Sequence, residues 1–175
     1  MAAHTTGPYK RCAFCSCPEF QAEPREVPRL EGVSDAVLAA LELLAQNPAF
    51  AHVPVEHMAD IARHGQKRLF LSDSVLMVEG EPSDLLFFLV KGQVRVEAAA
   101  ASHKARLIAE LGPGEFVGEM GVLRHKPRSA TVTAIADLET LELGFEQIKA
   151  VFRDDHDLML GFLRVIQKRQ SELRH

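Results

Sequence analysis

The 175-residue chain has no tryptophan, one tyrosine and three cysteines, and all three cysteines fall between Cys12 and Cys17. So few sulfurs in so short a span cannot staple a fold, which excludes a disulfide-framework protein. Long apolar runs are also missing. The run Leu85 to Val90 is far below the roughly 20 residues that a membrane-crossing helix needs. The first dozen residues, Met1 to Cys12, hold no continuous apolar stretch of the secretory kind, so a cytoplasmic protein without membrane attachment is expected. Neither sign of charge dominates: Lys+Arg number 20 and Asp+Glu 24, a net charge of −4. A dedicated nucleic-acid binder would carry a basic face, so no direct nucleic-acid contact is expected. A small anionic ligand is still allowed, because one pocket can be locally positive inside an acidic protein.

Catalytic signatures are equally scarce. There is no His-x-His pair, no His-Glu-x-x-His, no P-loop and no Gly-x-Ser-x-Gly, and a protein that is not an enzyme is expected. What remains is an ordinary globular composition, 47% hydrophobic and 25% charged, on a chain about one domain long.

The pattern divides the chain into four stretches. Residues 1–32 hold Pro8, Pro18, Pro24 and Pro28 with no clear period and are expected to be an extension. Residues 33–66 carry helices: Ser34 is a candidate N-cap for a helix to about Gln46 with Val37, Leu38, Leu41 and Leu44 on one face, and Val55 to about His64 forms a second with Met58 and Ile61 inward. Residues 67–144 read as short strands, over Lys67–Leu71, Ser74–Val78, Leu85–Val90, Gln93–Ala98, Lys104–Leu111, Ser129–Ile135 and Leu138–Leu143, separated by turn residues. Such spacing signals a sandwich or barrel. Residues 145–175 return to helix, first over Phe145–Phe152 and then from about His156 to Leu173, where Met159, Leu163, Ile166 and Leu173 approach a seven-residue repeat. That stripe suits a core seam, a lid or a homodimer contact.

The chemistry concentrates in Gly118-Glu119-Met120-Gly121 and Arg128-Ser129. The two glycines let a short helix start abruptly, with unpaired backbone N–H groups that suit an anion, phosphate above all. Arg128 can add a forked positive charge, and Ser129 a hydroxyl donor. Ser129 could equally serve backbone hydrogen bonding at a strand start. Glu119 has the wrong sign for a bare phosphate, so a ligand with hydroxyls beside the phosphate is implied, such as a ribose. Taken singly, Glu119 could be a solvated acid and Arg128 its internal partner. Their spacing around the glycines favours the functional assignment.

The run Gly118 to Leu123 followed by Pro127-Arg128-Ser129-Ala130-Thr131-Val132 resembles the phosphate-binding cassette of the cyclic-nucleotide-binding domain family. Leu85 to Val96 is similar to that family's central strand, tight glycine turn and next strand, and Glu79-Gly80-Glu81 to its earlier glycine turn. The resemblance covers about Pro48 to Gln170 and looks nearest to the sensor domain of catabolite-activator-type proteins. It implies a mainly β fold, a jelly-roll β-barrel with N-terminal helices and a long C-terminal helix. It implies cAMP or cGMP as a regulatory ligand, with Glu119 accepting from the ribose 2′-hydroxyl, Arg128 pairing with the cyclic phosphate, and Val117, Gly118, Met120, Gly121, Ser129 and Ala130 completing the site. Val94, Val96, Leu107 and Val132 would wall it, and Phe162, Ile166 and Arg169 are candidate lid residues. Ligand-driven movement of the flanking helices would then signal to an effector protein.

In the catabolite-activator type a helix-turn-helix follows the long C-terminal helix, whereas this chain stops at His175, so a stand-alone receptor is expected. Two alternatives stand beside it. One is the sensor half of a DNA-binding regulator. The other is a redox- or metal-sensing interaction protein, in which Cys12, Cys15 and Cys17 hold a metal ion or iron–sulfur cluster. The bland alternative for those cysteines is a reducible tail.

Overall fold

The computed structural model describes residues 27, 34–47, 50, 53–99, 105–119, 126–154 and 156–173. Helix α1 (Asp35–Gln46) buries Ala40, Leu41, Leu44 and Ala45 along one face. Ser34 stands at its N-cap with extended backbone, but only its carbonyl is used, accepting from Val37 and Leu38 N–H, and its side chain makes no capping bond. Helix α2 (Val55–His64) starts after Pro54, whose ring presets the entry, and turns Met58, Ala59, Ile61 and Ala62 inward.

The chain then forms two four-stranded antiparallel sheets. One runs in the order β1 (Gln66–Phe70), β8 (Leu138–Gly144), β3 (Leu85–Lys91), β6 (Phe116–Val117). The other runs β2 (Val75–Met77), β7 (Thr131–Ala134), β4 (Val94–Ala99), β5 (Ala105–Leu111). Helices α3 (Phe145–Asp154) and α4 (His156–Leu173) complete the fold, which is mainly β with flanking helices.

Strand alternation sorts the apolar side chains into two cores. On β3, Leu86 and Phe88 join Leu41, Leu44, Phe50 and Met58 in a core shared with the helices. Their neighbours Phe87 and Leu89 face the other way and meet Val94, Val117, Val132 and Leu138 between the sheets. Each buried side chain of this size contributes about 1.5–3 kcal/mol, so both cores hold the fold together.

The strands expected from turn spacing all form, with ends shifted by a residue or two. The structure adds β6, which pairs Phe116 with Phe88 and Val117 with Phe87. Two residues are too few to show a period in sequence.

Candidate functional site

Strand β6 ends at Gly118, whose φ of +91° is a backbone conformation that side chains rarely adopt. Space demands glycine there too. A Cβ would collide with Arg128 Nη1 and stand 2.9 Å from the Leu85 carbonyl oxygen. The next residue, Glu119, has helical backbone and is only 3% exposed.

Arg128 reaches this point from the strand side. It is 7% exposed, and its Nη1 donates to the Gly118 carbonyl at 3.3 Å. Its backbone is clamped to the β2–β3 turn: Arg128 N–H donates to the Glu81 carbonyl at 2.8 Å, and Gly80 N–H to the Arg128 carbonyl at 2.9 Å. Burial pulls the guanidinium below its ordinary pKa, while the carboxylates of Glu119, Asp84 and Glu81 pull the other way. The cation therefore stays charged, as arginine does in proteins, in a place where few waters reach it. A buried charge of this kind is costly unless something anionic meets it.

Among the other sequence-derived candidates, Val117 and Ala130 are buried beside Gly118 and Arg128, and Ser129 is exposed. Met120 and Gly121 lie outside the described residues, as do Cys12, Cys15 and Cys17. Of the expected wall residues, Val94 and Val132 are buried and Val96 is half-buried. Leu107 is 53% exposed. The β4–β5 register slips between Val96 and Glu97, so Val96 pairs with Ala109 but Glu97 with Leu107. Such a bulge re-aims the side chains beyond it.

The structure places Phe162, a candidate lid residue, in the helix-side core at 1% exposure, against Phe50 and Phe116. Ile166 and Arg169 belong to α4, and their side chains lie outside the description.

Sequence reasoning missed Glu81 and Asp84 as the further carboxylates around Arg128. The acid-rich turn Glu79 to Asp84 was legible as a turn, but only the fold brings it to residue 128. The same turn is tied in twice more. Glu79 N–H donates to Thr131 Oγ1 at 3.0 Å, and the Glu79 carboxylate accepts from Ala99 N–H at 2.7 Å. Among the described residues no group of three His, Cys, Asp or Glu could hold a metal ion, and no helix is long and apolar enough to cross a membrane.

A buried, charged fork beside a buried carboxylate, with a glycine cradle between them, is chemistry for a ligand that carries both an anion and hydroxyls. Comparison with known proteins identifies the family. The family described as "Cyclic nucleotide-binding domain" matches residues 67–155. The CRP-like cAMP-activated global transcriptional regulator of Mycobacterium tuberculosis is 24% identical over 128 residues, 73% of this chain and 57% of the regulator. A cyclic nucleotide-gated potassium channel of Rhizobium etli is 35% identical over 102 residues, 58% of this chain and 27% of the channel. The crystal structure of the Thermus thermophilus catabolite activator protein superposes with a TM-score of 0.68 at 27% identity, covering 73% of this chain and 60% of that one. The chain thus spans little more than half the length of the regulators it matches.

Proposed function

Since this chain belongs to the cyclic nucleotide-binding domain family, we propose that it is a receptor module for cAMP or cGMP that signals to a partner protein by moving its flanking helices. One observation carries the proposal: the buried Arg128 donates to the carbonyl of Gly118, next in sequence to the buried Glu119, at a point where a Cβ would obstruct the arginine.

Each group has a role in this reading. Arg128 pairs with the cyclic phosphate, displacing part of its contact with neighbouring carboxylates and with the Gly118 carbonyl. Backbone N–H groups around Gly118 to Gly121 and the Ser129 hydroxyl add donors. Glu119 accepts from the ribose 2′-hydroxyl, which separates a nucleotide from inorganic phosphate. The role is binding and regulation, with no step of covalent chemistry. Leu160 and Leu163, each more than a third exposed on α4, support pairing with a second copy through that helix.

Isothermal titration of the purified protein with cAMP and then cGMP tests this. A buried arginine–phosphate pair contributes about 3 kcal/mol or more, so Arg128→Ala is expected to bind at least about 100-fold more weakly. Saturable binding that the variant retains would overturn the role given to Arg128. No binding of either nucleotide by folded, nucleotide-free protein would overturn the receptor function.

A further inference from the structure

Arg128 brings one positive charge to the site, and three carboxylates stand around it. Glu119 follows Gly118, the residue whose carbonyl accepts from Arg128 Nη1. Glu81 arrives with the backbone clamp, in which its carbonyl accepts from Arg128 N–H at 2.8 Å. Asp84 arrives with Leu85, whose carbonyl oxygen crowds the same point beside Gly118 that Arg128 Nη1 occupies. All three carboxylates act on the guanidinium. Glu119 is buried, whereas Glu81 and Asp84 are exposed. The contacts that hold these two acids in place use their main chain: the Glu81 carbonyl on Arg128 N–H, and the Asp84 carbonyl on Phe145 N–H at 2.9 Å. Glu79, in the same turn, differs. Its carboxylate is spent on the sheet, accepting from Ala99 N–H at 2.7 Å.

One cation among three carboxylates leaves the site negative before any ligand arrives. A cyclic phosphate is a diester and carries a single charge. A linear nucleoside monophosphate has an open phosphate end, whose charge at pH 7 is about −1.5 to −2. The first charge of either ligand is met by Arg128. A second charge gains little more from the same guanidinium and is repelled by all three carboxylates. Repulsion of this kind excludes the wrong ligand without adding a contact to the right one.

We propose that Glu81 and Asp84 are specificity-determining residues, which admit a singly charged phosphodiester and reject linear nucleoside monophosphates by their charge. The proposal rests on the receptor function above and specifies its selectivity. Glu119 keeps its separate task at the ribose.

The test is competition against cAMP, followed by calorimetry on the full chain, with two linear probes: 5′-AMP and its methyl ester. The probes share base, sugar and open phosphate, and differ in the second charge. At about pH 7.5 and low salt, the wild type is expected to bind 5′-AMP at least about 10-fold more weakly than the ester. In the double variant Glu81→Gln, Asp84→Asn that gap is expected to shrink at least about 5-fold. Glu79→Gln is the control and is expected to keep the gap. In the wild type the gap should also narrow between about 50 mM and about 500 mM sodium chloride, because exposed charges are screened over a shorter distance. An equal gap in the double variant, or one that Glu79→Gln narrows as much, would overturn the assignment. So would a wild type that binds the ester no better than 5′-AMP, or a gap insensitive to salt, outcomes that need no variant to fold. Absence of cAMP binding by the wild type would instead remove the receptor function, and the selectivity with it.

Discussion

Gly118→Ala adds one methyl group at the point where the cassette and Arg128 meet, and its cost can be worked from the structure. At φ +91° an alanine pays roughly 1–2 kcal/mol for backbone conformation alone. The added Cβ then meets Arg128 Nη1 and the Leu85 carbonyl. The carbonyl belongs to β3 and is held by the sheet, so the arginine must give way, losing its hydrogen bond to Gly118. A total of about 2–3 kcal/mol is expected, or a melting temperature lower by about 4–12 °C for a chain of this size. Because the arginine is what moves, cAMP affinity should fall by about 10- to 100-fold as well, equivalent to one charge-assisted hydrogen bond. Gly80→Ala is the control. Gly80 also has positive φ, +85°, but a Cβ there meets nothing within 4 Å. It should lose about 1 kcal/mol of stability and keep its affinity within a few-fold. Thermal melts and calorimetry on both variants separate strain from collision. A Gly118→Ala protein that melts and binds like wild type would refute the reasoning.

Two further outcomes are expected. Glu119→Gln should bind cAMP about 5- to 10-fold more weakly, as a charged acceptor becomes a neutral one, and should discriminate less between cAMP and its 2′-deoxy analogue. Unchanged discrimination would remove Glu119 from the ribose. Thr140 is fully buried on β8, and its Oγ1 has no hydrogen-bond partner among the described residues. Thr140→Val should therefore raise stability by about 1 kcal/mol, seen as a higher urea midpoint at unchanged slope. A lower midpoint would mean that the hydroxyl is satisfied in solution.

Much of the fold was legible because its signals are local. The helix faces of Val55–His64 and the strands of 67–144 follow from periodicity and turn residues, each readable within a dozen positions. The parts that were not legible depend on contacts between distant segments. Strand β6 exists because Phe88 and Phe87 offer it a partner, and its own two residues carry no pattern. Leu107 was expected among the wall residues from the family resemblance, but the register slip at Val96 and Glu97 is invisible without the partner strand. Phe162 shares an amphipathic helix with Leu160 and Leu163, and periodicity alone does not tell the face that enters the core from the one that meets solvent. At the site, the glycines and the acid–base pair stood out through residue type and spacing. Asp84 and Glu81 did not, because nothing in the turn that bears them points 44 and 47 residues along the chain to Arg128.

The junction of β8 and α3 has a mechanical consequence. Gly144 is the last residue of the strand, in register with Leu85, and the Gln147 side chain accepts its N–H, the return half of a capping box. The next N–H, that of Phe145, goes to the Asp84 carbonyl at 2.9 Å. The near end of α3 is thus pinned to the sheet at consecutive backbone groups, so the helix can swing but not slide. Its ten residues make a lever arm of about 15 Å. A tilt of about 10° at the pinned end would carry the far end sideways through roughly 2.6 Å over that length, a displacement delivered to the start of α4.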